Sequence, residues 1–109
     1  KALDTVKKSE IKTGKATILA NVDGEQTESY EINILRVYPE NDDSMRDMMI
    51  QVTDERLLEK TGGIVQGMSG SPIIQNDKLV GAVTHVLIND PTRGYGIIIE
   101  RMIAGTQLQ

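Results

Sequence analysis

The sequence contains no cysteine, no phenylalanine and no tryptophan. Without cysteine the chain has no disulfide, no thiolate metal site and no cysteine nucleophile. Its only aromatic residues are three tyrosines, so aliphatic side chains and methionine must build the core. No apolar run approaches the roughly 18 residues that are needed to span a bilayer as a helix.

The sequence also has no excess of basic charge. It contains 16 acidic and 12 basic residues, which gives a net charge of −4. This balance argues against binding to nucleic acid or to an anionic membrane surface. A length of 109 residues corresponds to one small domain. The chain begins at Lys1 without a methionine or a signal-type segment, so we interpret it as a piece of a longer protein.

Strand patterns dominate the chain. We predict a polar N-terminal arm over residues 1–14 and a barrel unit over residues 15–109. Alternation and short apolar runs predict strands over residues 15–22, 28–37, 48–52, 64–65, 72–74, 79–88 and 95–102, with turns at 23–24, 76–77 and 90–94. The parity of the second strand shifts near Leu35 and indicates a β-bulge there. About six antiparallel strands make the fold all-β.

Two segments between the strands carry other signals. A capping residue, helix formers and a Gly-Gly stop predict one short helix near residues 54–61. The acidic segment 40–47 holds Asp42, Asp43 and Asp47. It lacks the glycine and the final glutamate of a calcium-binding loop, so we interpret it as a solvated acidic turn.

The segment from Gly62 to Pro72 reads GGIVQGMSGSP, with four glycines around one central serine. A nucleophilic serine needs a tight turn, converging backbone N–H groups and small neighbours. Ser69 fits the nucleophile, and the N–H groups of Gly67 and Ser69 fit an oxyanion hole. The alternative is a plain Gly/Ser turn that joins two strands.

A serine nucleophile also needs a base, which an acid usually orients. His85 is the one histidine, and alternation places it on the same face as Val83. A histidine on an apolar face is more often a core residue than a base. Asp54, fifteen residues before Ser69, is either an orienting carboxylate or a helix cap.

Residues 53–102 (TDERLLEKTGGIVQGMSGSPIIQNDKLVGAVTHVLINDPTRGYGIIIERM) resemble the peptidase domain of the stage IV sporulation protein B family. The resemblance implies a chymotrypsin-like serine peptidase of two β-barrels, of which this chain is the nucleophile-bearing one. By position, Ser69 is then the nucleophile and Asp54 the acid of the triad. The family's catalytic histidine lies in an upstream Gly-His-Gly segment that these 109 residues do not contain. Met68 stands where the wider chymotrypsin group has an aspartate.

The resemblance also implies a function. Such an enzyme processes itself and cleaves a membrane-bound inhibitor complex, which activates a second protease and leads to sigma-factor processing. It is exported from the forespore to the space facing the mother cell. We expect Val83, Thr84 and His85 to line the substrate channel, and we expect no cofactor and no metal.

The expected partners are protein substrates, the upstream histidine-bearing half and a PDZ domain. Because the base is missing, we expect the chain alone to be inactive. An exposed face built for the missing half predicts a homodimer or a strand swap. The alternative function is a non-catalytic β-barrel binding module.

Overall fold

The computed structural model of the chain describes residues 4–5, 10–21, 26–38, 46–64 and 68–99. In these ranges lie the strands β1 (Asp4–Thr5), β2 (Gly14–Ala20), β3 (Glu28–Val37), β4 (Met48–Val52), β5 (Pro72–Gln75), β6 (Lys78–Leu87) and β7 (Asp90–Ile98), with helix α1 (Glu55–Thr61) between β4 and β5. The predicted turn at Asp23 and Gly24, the acidic residues Asp42 and Asp43, and Gly67 lie outside the described residues.

Strands β2 to β7 form a closed antiparallel barrel. The neighbours run in the order β6, β5, β2, β3, β4, β7, and β7 pairs back with β6. The two-residue strand β1 runs parallel to β6 and pairs with its first residues. The six-stranded barrel with one helix confirms the predicted all-β architecture.

The barrel interior is aliphatic. Alternation along β2 and β3 buries Ala16 and Ile18 from one strand and Tyr30, Ile32 and Ile34 from the other. Burying one such side chain contributes roughly 1.5–3 kcal/mol. The alternation that predicted these strands is therefore the pattern that fills the core.

A β-bulge interrupts β3 at Leu35. Ile34 pairs with Ile50, but Arg36 pairs with Met49, so one residue of β3 has no partner in β4. After the bulge the inward positions change parity. Val37 therefore packs against the core while Arg36 is exposed, which confirms the bulge predicted near Leu35.

A second bulge lies in β6 at Thr84. Val83 pairs with Gly96 and His85 pairs with Tyr95, so Thr84 is the extra residue. Val83 is buried at 1% exposure, whereas His85 is exposed. The prediction that His85 shares the face of Val83 is therefore wrong, because the bulge rotates it to the outside.

The predicted turn over residues 90–94 is also misplaced. The turn between β6 and β7 is Ile88–Asn89, and β7 begins at Asp90. Pro91 lies in this strand, and its carbonyl accepts a hydrogen bond from the N–H of Ile64 at 2.7 Å. Ile64 itself is buried outside any strand, contrary to the prediction.

Asp47 is not solvated. Its side chain is 0% exposed, and its Oδ2 accepts a hydrogen bond from the N–H of Ile98 at 2.9 Å. Its backbone N–H donates to the carbonyl of Gly96 at 2.8 Å. Asp47 thus ties the start of β4 to the end of β7, and its interpretation as part of a solvated turn is wrong.

Helix α1 is confirmed near the predicted residues. Asp54 is its N-cap, Gly62 ends it in the left-handed conformation at φ 76°, and Leu57 anchors it in the core at 0% exposure. Within the described ranges no helix has the length and apolarity to cross a membrane.

The segment before the barrel packs onto it. Ile11 is buried at 7% exposure and belongs to the core cluster. The side chain of Gln75 on β5 accepts the N–H of Lys12 and donates to the carbonyls of Lys12 and Lys15. The division of the chain at residue 14 stays a prediction.

Candidate active site

Ser69 lies in a tight turn that leads into β5. The N–H of Ser71 donates to the carbonyl of Met68 at 3.0 Å and closes the turn, and Gly70 has a φ of 91°. This conformation at the third turn position requires glycine in a type II turn. Met68 is buried at 3% exposure and fixes the turn to the core, while Ser69 is exposed. The turn therefore presents the hydroxyl to solvent.

Strand β6 holds this turn in place through its backbone. The N–H of Gly70 donates to the carbonyl of Val83 at 2.7 Å, and the N–H of Val83 donates to the carbonyl of Ser71 at 3.0 Å. The Oγ of Ser69 donates to the carbonyl of Thr84 at 3.3 Å. That carbonyl belongs to the bulge residue, so the β6 bulge and the serine turn form one unit.

The space beside Gly70, the residue that follows Ser69, is open. A Cβ built on Gly70 would meet no atom within 4 Å. The N–H of Ser69 donates to no described residue, so it is available to an incoming oxyanion. The second predicted donor, Gly67, lies outside the described residues, and the two-donor oxyanion hole stays a prediction.

Asp54 lies between β4 and α1, and its carboxylate is bound on all sides. Oδ1 accepts the backbone N–H of Arg56 at 2.9 Å and its Nε at 3.2 Å. Oδ2 accepts the N–H of Glu31 at 3.0 Å and the Nη2 of Arg56 at 3.2 Å. The side-chain hydrogen bond from Arg56 is the main reason that the pKa of Asp54 falls from 3.8 to about 2; burial opposes it, and the backbone N–H groups of Glu31 and Arg56 add to the lowering.

These contacts have a consequence for the predicted triad. A carboxylate offers about four acceptor positions, and the four hydrogen bonds to Asp54 fill them. A histidine N–H would have to displace one donor, most simply the Nη2 of Arg56. Among the described residues no hydrogen bond joins Asp54 to Ser69 or to His85. The role of Asp54 as the triad acid stays a prediction.

His85 and Ser69 both contact Thr84, but no hydrogen bond joins the two residues. Its Nδ1 lies 3.1 Å from the Oγ1 of Thr84, and that Oγ1 also donates to the carbonyl of Tyr95 at 3.2 Å. The Ser69 hydroxyl donates to the carbonyl of Thr84 instead. In this arrangement His85 does not accept the proton of Ser69.

The three predicted substrate-binding residues, Val83, Thr84 and His85, differ in whether their backbone groups can bind a peptide. Both backbone groups of Val83 are used by the serine turn. Strand β5 pairs with β6 only as far as Ala82, whereas β7 pairs with its other edge as far as Leu87. Beyond Thr84, the edge of β6 that faces the serine turn therefore has no strand neighbour among the described residues. This edge can receive an extended peptide.

Sequence reasoning missed Arg56. Its guanidinium stacks over the ring of Tyr30 at 5.0 Å and also binds Glu28 and the carbonyl of Ser29. The arginine thus links the start of α1 to β3. The only signal in the sequence is an arginine two residues after a capping aspartate, which is too common to predict this role.

Comparisons with known proteins show the family and the fold of the chain. The sequence matches the model of the SpoIVB peptidase S55 family over residues 1–103. The chain belongs to this family. A search of curated proteins finds no match.

A solved structure similar to this family member is that of Rv3671c from Mycobacterium tuberculosis, in the inactive form of a serine-to-alanine mutant. The two share 19% sequence identity with a TM-score of 0.69. The match covers 98% of this chain and 51% of the other, so this chain spans about half the length of that protein. The likeness establishes the chymotrypsin-like barrel fold and confirms that prediction.

Proposed function

We propose that this chain carries the nucleophile of a serine endopeptidase and that Ser69 is that nucleophile. One observation carries the proposal: Ser69 is exposed on a tight turn, and among the described residues its N–H has no acceptor and the nearby edge of β6 has no strand neighbour. Membership of a peptidase family supports it. A plain Gly/Ser turn needs none of these three features.

In the proposed reaction, Ser69 attacks a peptide carbonyl while a base takes the hydroxyl proton. Because the Ser69 hydroxyl donates to the Thr84 carbonyl and not to His85, the proposed base is a histidine from polypeptide outside these residues. The N–H of Ser69, with that of Gly67, stabilises the oxyanion, an effect on the order of 3 kcal/mol per donor. The free edge of β6 at His85 aligns the substrate as an added strand.

The proposed role of Asp54 in the reaction takes account of its four hydrogen bonds. In the proposed complete enzyme it orients the incoming histidine after Arg56 releases one oxygen. Its low pKa keeps it ionised at every pH at which the histidine can act as a base. In both roles, as the cap of α1 and as the proposed triad acid, the carboxylate acts as a hydrogen-bond acceptor.

The finer function rests on the family. We propose that the intact protein processes its own chain and cleaves a membrane-bound inhibitor complex during sporulation, in the space between forespore and mother cell. The upstream half and a PDZ domain are its proposed partners. In this proposal the chain alone is inactive, and the face that packs on the upstream half in the intact protein pairs with a second copy instead.

A fluorophosphonate probe tests the proposal. The probe is applied to the 109-residue chain and to the same chain extended upstream to include a Gly-His-Gly segment. We expect labelling of the extended chain only, complete loss in Ser69→Ala and strong reduction in Asp54→Ala. Equal labelling of Ser69→Ala and wild type would reject Ser69 as the nucleophile.

Two controls separate the alternatives. His85→Ala in the extended chain should keep most of the labelling, because His85 is not the proposed base. If the short chain is labelled and His85→Ala abolishes that labelling, His85 acts as the base after all. If no form is labelled, the chain is a non-catalytic binding module.

A further inference from the structure

Two arginines and two tyrosines stack on the outer face of the barrel; we call Arg36, Tyr38, Tyr95 and Arg46 the Arg–Tyr cluster. The Cζ of Arg36 lies 5.0 Å from the ring centroid of Tyr38, and the Cζ of Arg46 lies 5.0 Å from that of Tyr95. The two rings are 6.5 Å apart and inclined at 43°. In the order of these contacts, the two rings lie between the two guanidinium groups.

The fold brings these side chains together from distant parts of the chain. The bulge at Leu35 turns Arg36 outward, and Tyr38, two residues on, lies on the same side. Met49 of β4 pairs with Arg36 on one side and with Tyr95 on the other. The cluster therefore spans three neighbouring strands, each about 4.8 Å from the next.

Within the described part of the chain, the two guanidinium charges of the cluster have no acidic partner. Both arginines are exposed, and neither forms an ion pair with a described residue, whereas Arg56 and Arg93 each pair with an acidic side chain. A guanidinium held over a ring by a cation–π contact still carries N–H donors, and its planar fork matches a carboxylate in two parallel hydrogen bonds. Stacking also fixes the side chain before binding, which lowers the entropic cost of association.

We propose that the Arg–Tyr cluster binds an acidic segment of another polypeptide chain. Carboxylates of the segment pair with Arg36 and Arg46, and its backbone and aliphatic atoms lie on the rings of Tyr38 and Tyr95. A nucleic acid would need a continuous positive groove along its backbone. The chain has a net charge of −4, which opposes an extended polyanion. The two local cations instead match the few carboxylates of a short acidic peptide.

The cluster lies on the side of the barrel that carries the β6 bulge. Tyr95 pairs with His85, and the neighbouring Thr84 receives the hydroxyl of Ser69. A segment bound on the cluster is thus held within one or two strands of Ser69. The binding itself does not depend on catalysis by Ser69, so the two proposals can fail separately.

Fluorescence anisotropy with the 109-residue chain tests the inference. The probes are a labelled ten-residue peptide of glutamate, glycine and serine, and the same peptide with glutamine for glutamate. We expect binding of the acidic peptide only, weakened by added salt. Arg36→Gln or Arg46→Gln should weaken it roughly threefold each and the double variant roughly tenfold. Arg93→Gln on β7 removes an equal charge outside the cluster and should leave the affinity unchanged.

Three results would overturn the inference. The first is equal binding of the glutamine peptide, or an equal loss in Arg93→Gln, because the contact would then not depend on these two charges. The second is tighter, Arg36-dependent binding of single-stranded oligothymidylate. The third is binding only after Glu40, Asp42 and Asp43 are neutralised, which would make the chain's own acidic segment the occupant.

Discussion

Asp54 and Ser69 are held in place by different kinds of interaction. Four hydrogen bonds, two of them from the side chain of Arg56, surround the Asp54 carboxylate. The Ser69 hydroxyl makes one bond of 3.3 Å to a backbone carbonyl, on a turn shaped by Gly70 and by the β6 bulge. Charge fixes the first residue and backbone geometry fixes the second. The two sites should therefore respond to different perturbations.

The largest expected effect concerns the backbone beneath the serine site. A Cβ on Gly94 would lie 2.4 Å from the carbonyl oxygen of His85, so Gly94→Ala must force β6 and β7 apart at the bulge. We expect a loss of about 3 kcal/mol in the free energy of unfolding, measured by urea denaturation.

Gly70→Ala is the matched control for that variant. It adds the same methyl group where no atom lies within 4 Å, and only its φ of 91° opposes it. We expect a loss of about 1 kcal/mol. If the two variants lose the same stability, the close approach of Gly94 to the His85 carbonyl is not what makes glycine necessary there.

The next effect concerns the charged site. Asp54→Ala removes the N-cap of α1 together with the link from Glu31 to Arg56. We expect a loss of about 1–2 kcal/mol in the free energy of unfolding. Glu59→Ala takes the same charge from the exposed face of α1 and should change stability by less than about 0.5 kcal/mol. Comparable losses in both variants would mean that Asp54 contributes only its charge.

The smallest effect is a dependence on pH. The pKa of Asp54 is 3.8 before folding and about 2 in the folded chain, so ionised Asp54 favours the folded state. This contribution is complete above the unfolded pKa and is lost as the pH falls from about 4 toward 2. Urea midpoints across this range should fall more steeply for wild type than for Asp54→Asn. Parallel pH profiles would contradict the assignment of the low pKa to folded Asp54.

Of the two β-bulges, the sequence predicts the one in β3 but not the one in β6. In β3 one face is polar and the other buried, so the slip at Leu35 appears as a visible change in parity. In β6 the run from Leu79 to Ile88 has apolar residues at both odd and even positions. An extra residue at Thr84 therefore produces no visible change in the pattern of alternation. This hidden slip is why His85 was predicted on the wrong face.

The local pattern alone determined much of the protein. Alternation and turn chemistry predict β2 to β6, the second half of β7, α1 and the exposed serine turn, because each depends on residues close together in the chain. Tertiary structure alone decided three features: the burial of Asp47, the anchoring of Asp54 and Arg56 to β3 through Glu31 and Glu28, and the Arg–Tyr cluster. Each of these is completed by contacts with strands distant in the sequence, and only closure of the barrel brings those strands together.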